Sequence, residues 1–395
     1  MKKKVFNLRS FGKSILFFLK KDSSIYLFIK KFLYYKIPVQ KFFFNNLKRL
    51  VYSGKRFYYF KYLGSVIAFD SGPLNDPRGQ GRIATNIFRQ LDNELGKEYP
   101  CGSLEQTFNL TEDEVDLFIF PSIHWVDDKF IKKSIVFVMD VLPLSLPNVF
   151  PSSVIRQWRN KYCKSIRDAK AVITISQWSF IEIIKNVNVS EDSVFVINPG
   201  VEHNNLTEPT TNKKLLDIPC GPYFIFIGSN DYHKNLQVIV EAMMYNSLSN
   251  IKLAVVGENF SYEQKRQWLN FTNERIIFYG YLDESNLSKL LSCSKGLLLP
   301  SYNEGFGLTP FEAALHDVPS VCSNRPAMNQ LLKGACFFAN PFKKDEWKDS
   351  MLEILHNDKA VSARLENAKF LASSYNWRRF FTLFMSNVSK LLLVK

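Results

Sequence analysis

Pro300-Ser301-Tyr302-Asn303-Glu304-Gly305-Phe306-Gly307-Leu308-Thr309-Pro310-Phe311-Glu312-Ala313 decides how this chain of 395 residues is read. It follows Gly296 to Leu299, an apolar run short enough to be a buried parallel strand. Gly305 and Gly307 make a turn, and a helix start follows. Thr309 is expected at the N-cap, Pro310 at the first helical position and Glu312 three residues after the cap. Strand, glycine turn and helix N-terminus together present backbone N–H groups and a positive dipole end to an anion. Glu304 and Glu312 flank that pocket. A carboxylate repels phosphate but accepts hydrogen bonds from hydroxyls, so the pattern points to a ligand carrying both, a sugar nucleotide. A plainer reading leaves Glu312 as a capping-box glutamate and Glu304 as a solvated loop charge.

The same order of elements occurs upstream. Tyr223–Ile227 is a continuous apolar run, followed by Gly228-Ser229-Asn230-Asp231-Tyr232-His233-Lys234-Asn235 and a helix-period stretch through Met244. Lys234 is expected to face the Glu304 loop as a point charge that stabilises a leaving group. Further apolar runs at 252–256, 276–278, 297–299, 318–321 and 335–339 alternate with helical stretches, which indicates a parallel sheet with its ligand beyond the strand C-termini.

The first half reads similarly, with strands at 63–69, 115–120, 134–139, 171–175 and 194–197. After the first of these, Gly79-Gln80-Gly81-Arg82 opens a helix-period stretch. Gly79 and Gly81 are expected to let the backbone approach an anion, with Arg82 pairing to it in bidentate fashion; a flexible surface loop is the other reading. Asp140 stands just past a strand, where a site residue is expected. His124 is either a second site residue or a structural one.

Glu-x7-Glu within "PSYNEGFGLTPFEA" resembles the C-terminal signature of the family 4 glycosyltransferases. "GSNDYHKN" is similar to that family's G-x-x-x-x-R-K-N, with His233 in place of the arginine. "FVMDVLPL" resembles the "HDLIPL" stretch of members that often transfer mannose, with Met139 where those have histidine. "SQWS" and "NPGV" look like the turns "SEFS" and "PNGV", and the closing Trp377 segment looks like the family's final helix, which returns to the first domain. The resemblance covers residues 62–395. It implies the α/β GT-B fold, two Rossmann-like domains facing a cleft, and a metal-independent, retaining enzyme with no cofactor beyond a GDP- or UDP-sugar donor. By the same resemblance Gly228, Ser229, Lys234, Glu304, Gly305, Phe306, Gly307, Leu308 and Glu312 hold the donor, with Glu304 on the sugar and Glu312 on the ribose. Glu304, Lys234 and Asp140 carry the chemistry, and Gly79, Gly81, Arg82 and His124 lie near the phosphates or the acceptor. The expected reaction moves a hexose, mannose from GDP-mannose as first choice, to a lipid-linked or cell-surface glycan. A sugar-nucleotide-binding scaffold without turnover is the alternative.

Charge is unevenly spread. Residues 1–61 hold 16 Lys and Arg against the single acid Asp22, whereas the rest holds 35 against 36 Asp and Glu. Short apolar clusters such as Ile25–Ile29 alternate with lysines there, and none approaches the roughly 20 residues that span a bilayer. Amphipathic helices on an anionic membrane fit this pattern, as does a helical hairpin packed on the body. No nucleic-acid fold signature accompanies the basic stretch, so nucleic acid is not an expected partner. The expected location is cytoplasmic, on the inner face of the cell membrane. Six scattered cysteines without a CxxC pair read as free thiols, and nothing in the sequence has metal-ligand spacing. The expected domains are the basic extension 1–61, an acceptor domain 62–205 joined by the helix 377–395, and a nucleotide-sugar domain 206–376.

Overall fold

The computed structural model describes residues 56–76, 79–95, 111–201 and 217–393. The expectations for residues 1–55 and for most of the 203–217 linker lie outside the described residues. Residues 57–395 form one compact unit containing two six-stranded sheets.

The first sheet comprises β1 (Phe57–Tyr62), β2 (Ser65–Asp70), β3 (Leu117–Phe120), β4 (Ser134–Phe137), β5 (Ala171–Thr174) and β6 (Val194–Val196), side by side in chain order. β2 to β6 are parallel, and β3, β4 and β5 are buried along their whole length, as near-continuous apolar strands covered on both faces should be. β1 corrects the reading of 1–61 as a single extension, because residues 57–61 belong to the sheet and pair antiparallel with β2. Leu63 and Gly64 both have positive φ (51° and 79°), the signature of a two-residue hairpin turn, so Leu63 is the turn rather than the start of the strand. Phe57 anchors the hairpin edge-on against Phe118 and Phe130, at 5.3 and 5.8 Å between ring centres.

Two helices of this half matter for the site. α1 (Gly79–Glu94) contains both expected loop glycines in its first turn. α2 (Gln177–Val187) starts at Ser176, whose hydroxyl accepts from the Ser179 N–H at 3.0 Å.

The second sheet comprises β7 (Tyr223–Ile227), β8 (Lys252–Val256), β9 (Ile276–Gly280), β10 (Gly296–Leu299), β11 (Ser320–Ser323) and β12 (Phe337–Ala339). Its strands are parallel and ordered β12-β11-β10-β7-β8-β9. The order reverses between β10 and β7, and ligands of open α/β sheets bind at such a switch point, beyond the strand C-termini. α3 (Leu236–Ala242) follows β7 and α4 (Leu308–Leu315) follows β10.

The last helix, α5 (Trp377–Leu393), crosses back to the first sheet, where Phe380 and Phe384 pack on Phe137 at 6.3 and 5.7 Å. A Cβ on Gly200 would lie 2.5 Å from the Trp377 nitrogen, so the turn after β6 needs glycine to admit this helix. One apolar cluster runs from Phe69, Ile87 and Phe137 through Trp377 and Phe380 to Phe306, Phe311 and Met328, joining the two halves behind the switch point.

Candidate functional site

β7 and β10 end side by side, and their loops bring Lys234 and Glu304 together. The Lys234 ammonium lies 2.7 Å from Glu304 Oε1, with the two side chains 23% and 13% exposed. The Ser301 hydroxyl donates to the same carboxylate oxygen at 2.5 Å. Burial pushes the Glu304 carboxyl up, but Lys234, His233 and the Ser301 hydrogen bond outweigh it and hold the group below its ordinary value. The lysine is therefore paired with the glutamate directly, and two ammonium protons remain for another acceptor.

Asp140 joins this pair from the first domain, in the loop after β4. Its Oδ1 accepts from the Leu142 N–H at 3.1 Å. Burial raises its carboxyl, His233 and Lys234 lower it, and Glu304 opposes its ionisation; the net direction is up. His233 lies among the same charges. Burial and then the neighbouring Lys234 depress its imidazole, against the pull of Glu304, Asp231 and Asp140, and its ring stacks on Phe150 of the first domain at 6.1 Å. The sequence marks His233 only as a replaced arginine. In the structure it lies within electrostatic reach of Asp140, Glu304 and Lys234.

The first domain grips the glutamate loop through the "SQWS" turn. The Ser176 hydroxyl donates to the Gly305 carbonyl at 2.5 Å, the Ser179 hydroxyl donates to the Met139 carbonyl at 2.8 Å beside it, and the Trp178 indole N–H donates to Asn303 Oδ1 at 3.0 Å. Asn303 Oδ1 also accepts from the Glu304 N–H at 2.9 Å. Sequence reasoning missed these positioning residues. Their only signal is a pair of serines and an indole beside a helix start, a pattern that ordinary N-capping already explains.

Several expected donor-binding residues have other work. Phe306 is buried in the core against Phe311 and Tyr375, so its side chain is not available to a ligand. A Cβ on Gly305 would stand 2.7 Å from the Met139 carbonyl oxygen, and one on Gly307 (φ 73°) would meet Met328 at 2.5 Å. Both glycines thus permit close packing of the loop. Gly307, not Thr309, caps α4, which begins at Leu308, and Leu308 packs partly buried on the core cluster. Gly228 lies beneath Gly257, whose absent Cβ would collide with the Gly228 carbonyl, and the Ser229 hydroxyl bonds to Asp231.

Glu312 is not in a capping box. It forms an ion pair with Arg82 of α1, across the two domains, and Arg82 also donates to the Val201 carbonyl at 3.4 Å. Gly81 allows α1 to abut the preceding turn, since a Cβ there would overlap the Asp76 carbonyl oxygen, whereas Gly79 has open space around it. Both glycines lie in the first turn of α1 and not in a flexible surface loop. His124 packs edge-on against Tyr162 and Trp158, at 5.2 and 6.1 Å, on a π-helical turn of the first domain.

Two parallel-sheet domains with charged loops at the switch point define the GT-B architecture. Solved structures share it: Anabaena HepE in complex with UDP and glucose aligns at a TM-score of 0.62 and 18% identity, over 82% of this chain and 98% of that one. Sucrose-phosphate synthase from Thermosynechococcus elongatus aligns at 0.60 and 17%, over 81% and 80%. Residues 210–370 match the model of the family "Glycosyl transferases group 1". Among curated relatives, the O-antigen chain mannosyltransferase RfbU of Salmonella typhimurium is 24% identical over 59% of this chain, a stretch spanning 64% of that protein. O-antigen chain mannosyltransferase B of Escherichia coli is 23% identical over 62% of this chain and 68% of its own length.

Proposed function

We propose that this protein is a retaining hexosyltransferase that moves mannose from GDP-mannose to a lipid-linked or cell-surface glycan of the O-antigen or capsule kind. The observation that carries the reading is the Lys234–Glu304 pair at the switch point of a group 1 domain, with Asp140 of the other domain within electrostatic reach. The mannosyltransferase names of both relatives support the choice of sugar.

In this account the donor diphosphate meets the two ammonium protons of Lys234 that Glu304 leaves over, and Glu304 accepts from sugar hydroxyls. As the bond from the anomeric carbon to the phosphate oxygen breaks, Lys234 stabilises the negative charge gathering on the diphosphate. The acceptor hydroxyl oxygen bonds to that carbon from the same face. Its proton passes to the leaving phosphate oxygen or to Asp140, whose raised carboxyl suits it to proton transfer. Glu312 holds ribose hydroxyls while keeping Arg82, since a carboxylate accepts at about four lone-pair sites. Charge neutralisation by Lys234 makes the reaction metal-independent. The basic stretch 1–61 supports work at an anionic membrane on its cytoplasmic face.

The test is transfer of radiolabel from GDP-mannose, UDP-glucose and UDP-GlcNAc to a glycolipid extract. Label entering the lipid fraction from GDP-mannose, and not with Glu304→Gln, is the expected result. Label entering from UDP-sugars alone overturns the donor, and nucleotide binding with no transfer from any donor leaves a scaffold.

A further inference from the structure

Four neighbouring strands of the second sheet each deliver one planar side chain to the rim beside Lys234 and Glu304. Tyr232 follows β7, Tyr302 follows β10, Arg325 follows β11 and Phe342 follows β12, and these strands are consecutive in the sheet. The Tyr232 and Tyr302 rings lie 5.5 Å apart at 35°, and the Tyr302 and Phe342 rings 5.1 Å apart at 24°. The Arg325 guanidinium lies over the Phe342 ring, 5.3 Å from its centre. The result is a row of adjoining planar groups, tilted at the Tyr232 end and stacked at the Phe342 end.

The row is fixed in place. Asn235 is buried, in the left-handed conformation (φ 52°), and its amide donates to the Pro300 and Pro341 carbonyls at 3.1 and 2.7 Å. That one side chain ties together the three segments carrying Tyr232, Tyr302 and Phe342. The Tyr302 N–H donates to the His233 carbonyl at 2.8 Å, and the Phe342 N–H to Asn340 Oδ1 at 2.9 Å. Yet Tyr232 and Phe342 are each 66% exposed. Rigid aromatic rings left in water next to a polar cleft mark a surface meant to be covered.

We infer that the row Tyr232–Tyr302–Phe342, with Arg325 at its end, is a subsite for pyranose rings of the acceptor glycan. Continuity with the transfer site chooses this occupant. Tyr232 stands two residues before Lys234, and Tyr302 two before Glu304. A pyranose ring offers a C–H face that matches an aromatic face, and a rim of hydroxyls that matches tyrosine oxygens and guanidinium donors. The inference rests on the transferase reading, because that reading places the transferred sugar at Glu304 and hence the glycan that receives it alongside.

The test uses full-length protein with mannotriose and maltotriose as probes, followed by saturation-transfer NMR, and GDP-mannose and UDP-glucose followed by calorimetry. The variants are Tyr232→Ala and Phe342→Ala, at exposed positions that tolerate truncation, with Phe342→Tyr as the conservative control. The expected result is saturation transfer to ring C–H protons, weakened about three- to tenfold in each alanine variant. Phe342→Tyr retains it, and nucleotide-sugar affinity is unchanged throughout. Equal transfer in wild type and both alanine variants overturns the inference, as does no transfer to the wild type. Loss of nucleotide affinity in the alanine variants also overturns it and makes the row a base platform. Oligosaccharide binding that depends on the row, with no nucleotide sugar bound at all, keeps the subsite and sinks the transferase reading instead.

Discussion

The two glutamates of one motif, with seven residues between them on the same loop and helix, take their cationic partners from different domains. Glu304 pairs with Lys234 of its own domain and takes a further hydrogen bond from Ser301, within reach of the Asp140 and His233 charges. Glu312 reaches Arg82 in the other domain and has the Val201 backbone near the same guanidinium. The first is a concentrated cluster of titratable groups at the switch point, where chemistry is expected. The second is a clasp between domains. A spacing pattern in the sequence therefore encodes two physical tasks, which substitutions can separate.

The largest effect belongs to the cluster. Glu304→Gln or Lys234→Ala is expected to lower kcat by about 10² to 10³-fold, the scale of losing one charge-stabilising group, while Arg82→Ala acts mainly on donor KM; steady-state kinetics on the three variants checks this. The clasp predicts a smaller coupling. A double-mutant cycle of Arg82→Met and Glu312→Gln in thermal unfolding should return about 0.5–3 kcal/mol, and a value near zero removes the clasp. The two carboxyls of the cluster also respond to pH with opposite sign. Glu304 is depressed, so its stabilisation is present above the unfolded carboxylate value of about 4.3 and is lost as pH falls through the folded value. Asp140 is raised, so its contribution is full below the unfolded value and fades as pH rises through the folded one. At neutral pH, Asp140→Asn should raise the melting temperature and Glu304→Gln should lower it, and calorimetry across pH reads both. The smallest expected effect is that of EDTA, which should leave transfer activity within about twofold if Lys234 carries the charge neutralisation.

Much of the architecture is legible in the sequence, because buried parallel strands write themselves as apolar runs such as Tyr223–Ile227, whose boundaries the structure leaves unchanged. The edge strand Phe57–Tyr62 is not, since Lys61 and the preceding lysines make it read as part of a charged tail. In the site, Glu304 and Lys234 stand out because strand, glycine turn and charge coincide. The roles of the glycines do not, because Gly305 is demanded by the Met139 carbonyl, a contact that leaves no trace in nearby sequence. At position 139 it is the backbone carbonyl, not the methionine side chain, that makes this contact and accepts from Ser179 at 2.8 Å. Arg82 and Glu312 lie 230 positions apart, and no local pattern announces their pairing.

The measurement that bears most directly on the central claim is calorimetric titration of the full-length protein with GDP-mannose and UDP-glucose, beside Lys234→Ala and Glu304→Gln. The account predicts that GDP-mannose binds the wild type, that both substitutions weaken it at least about tenfold, and that UDP-glucose binds less well. Indifference to both nucleotide sugars, or affinity undiminished in both variants, would contradict it.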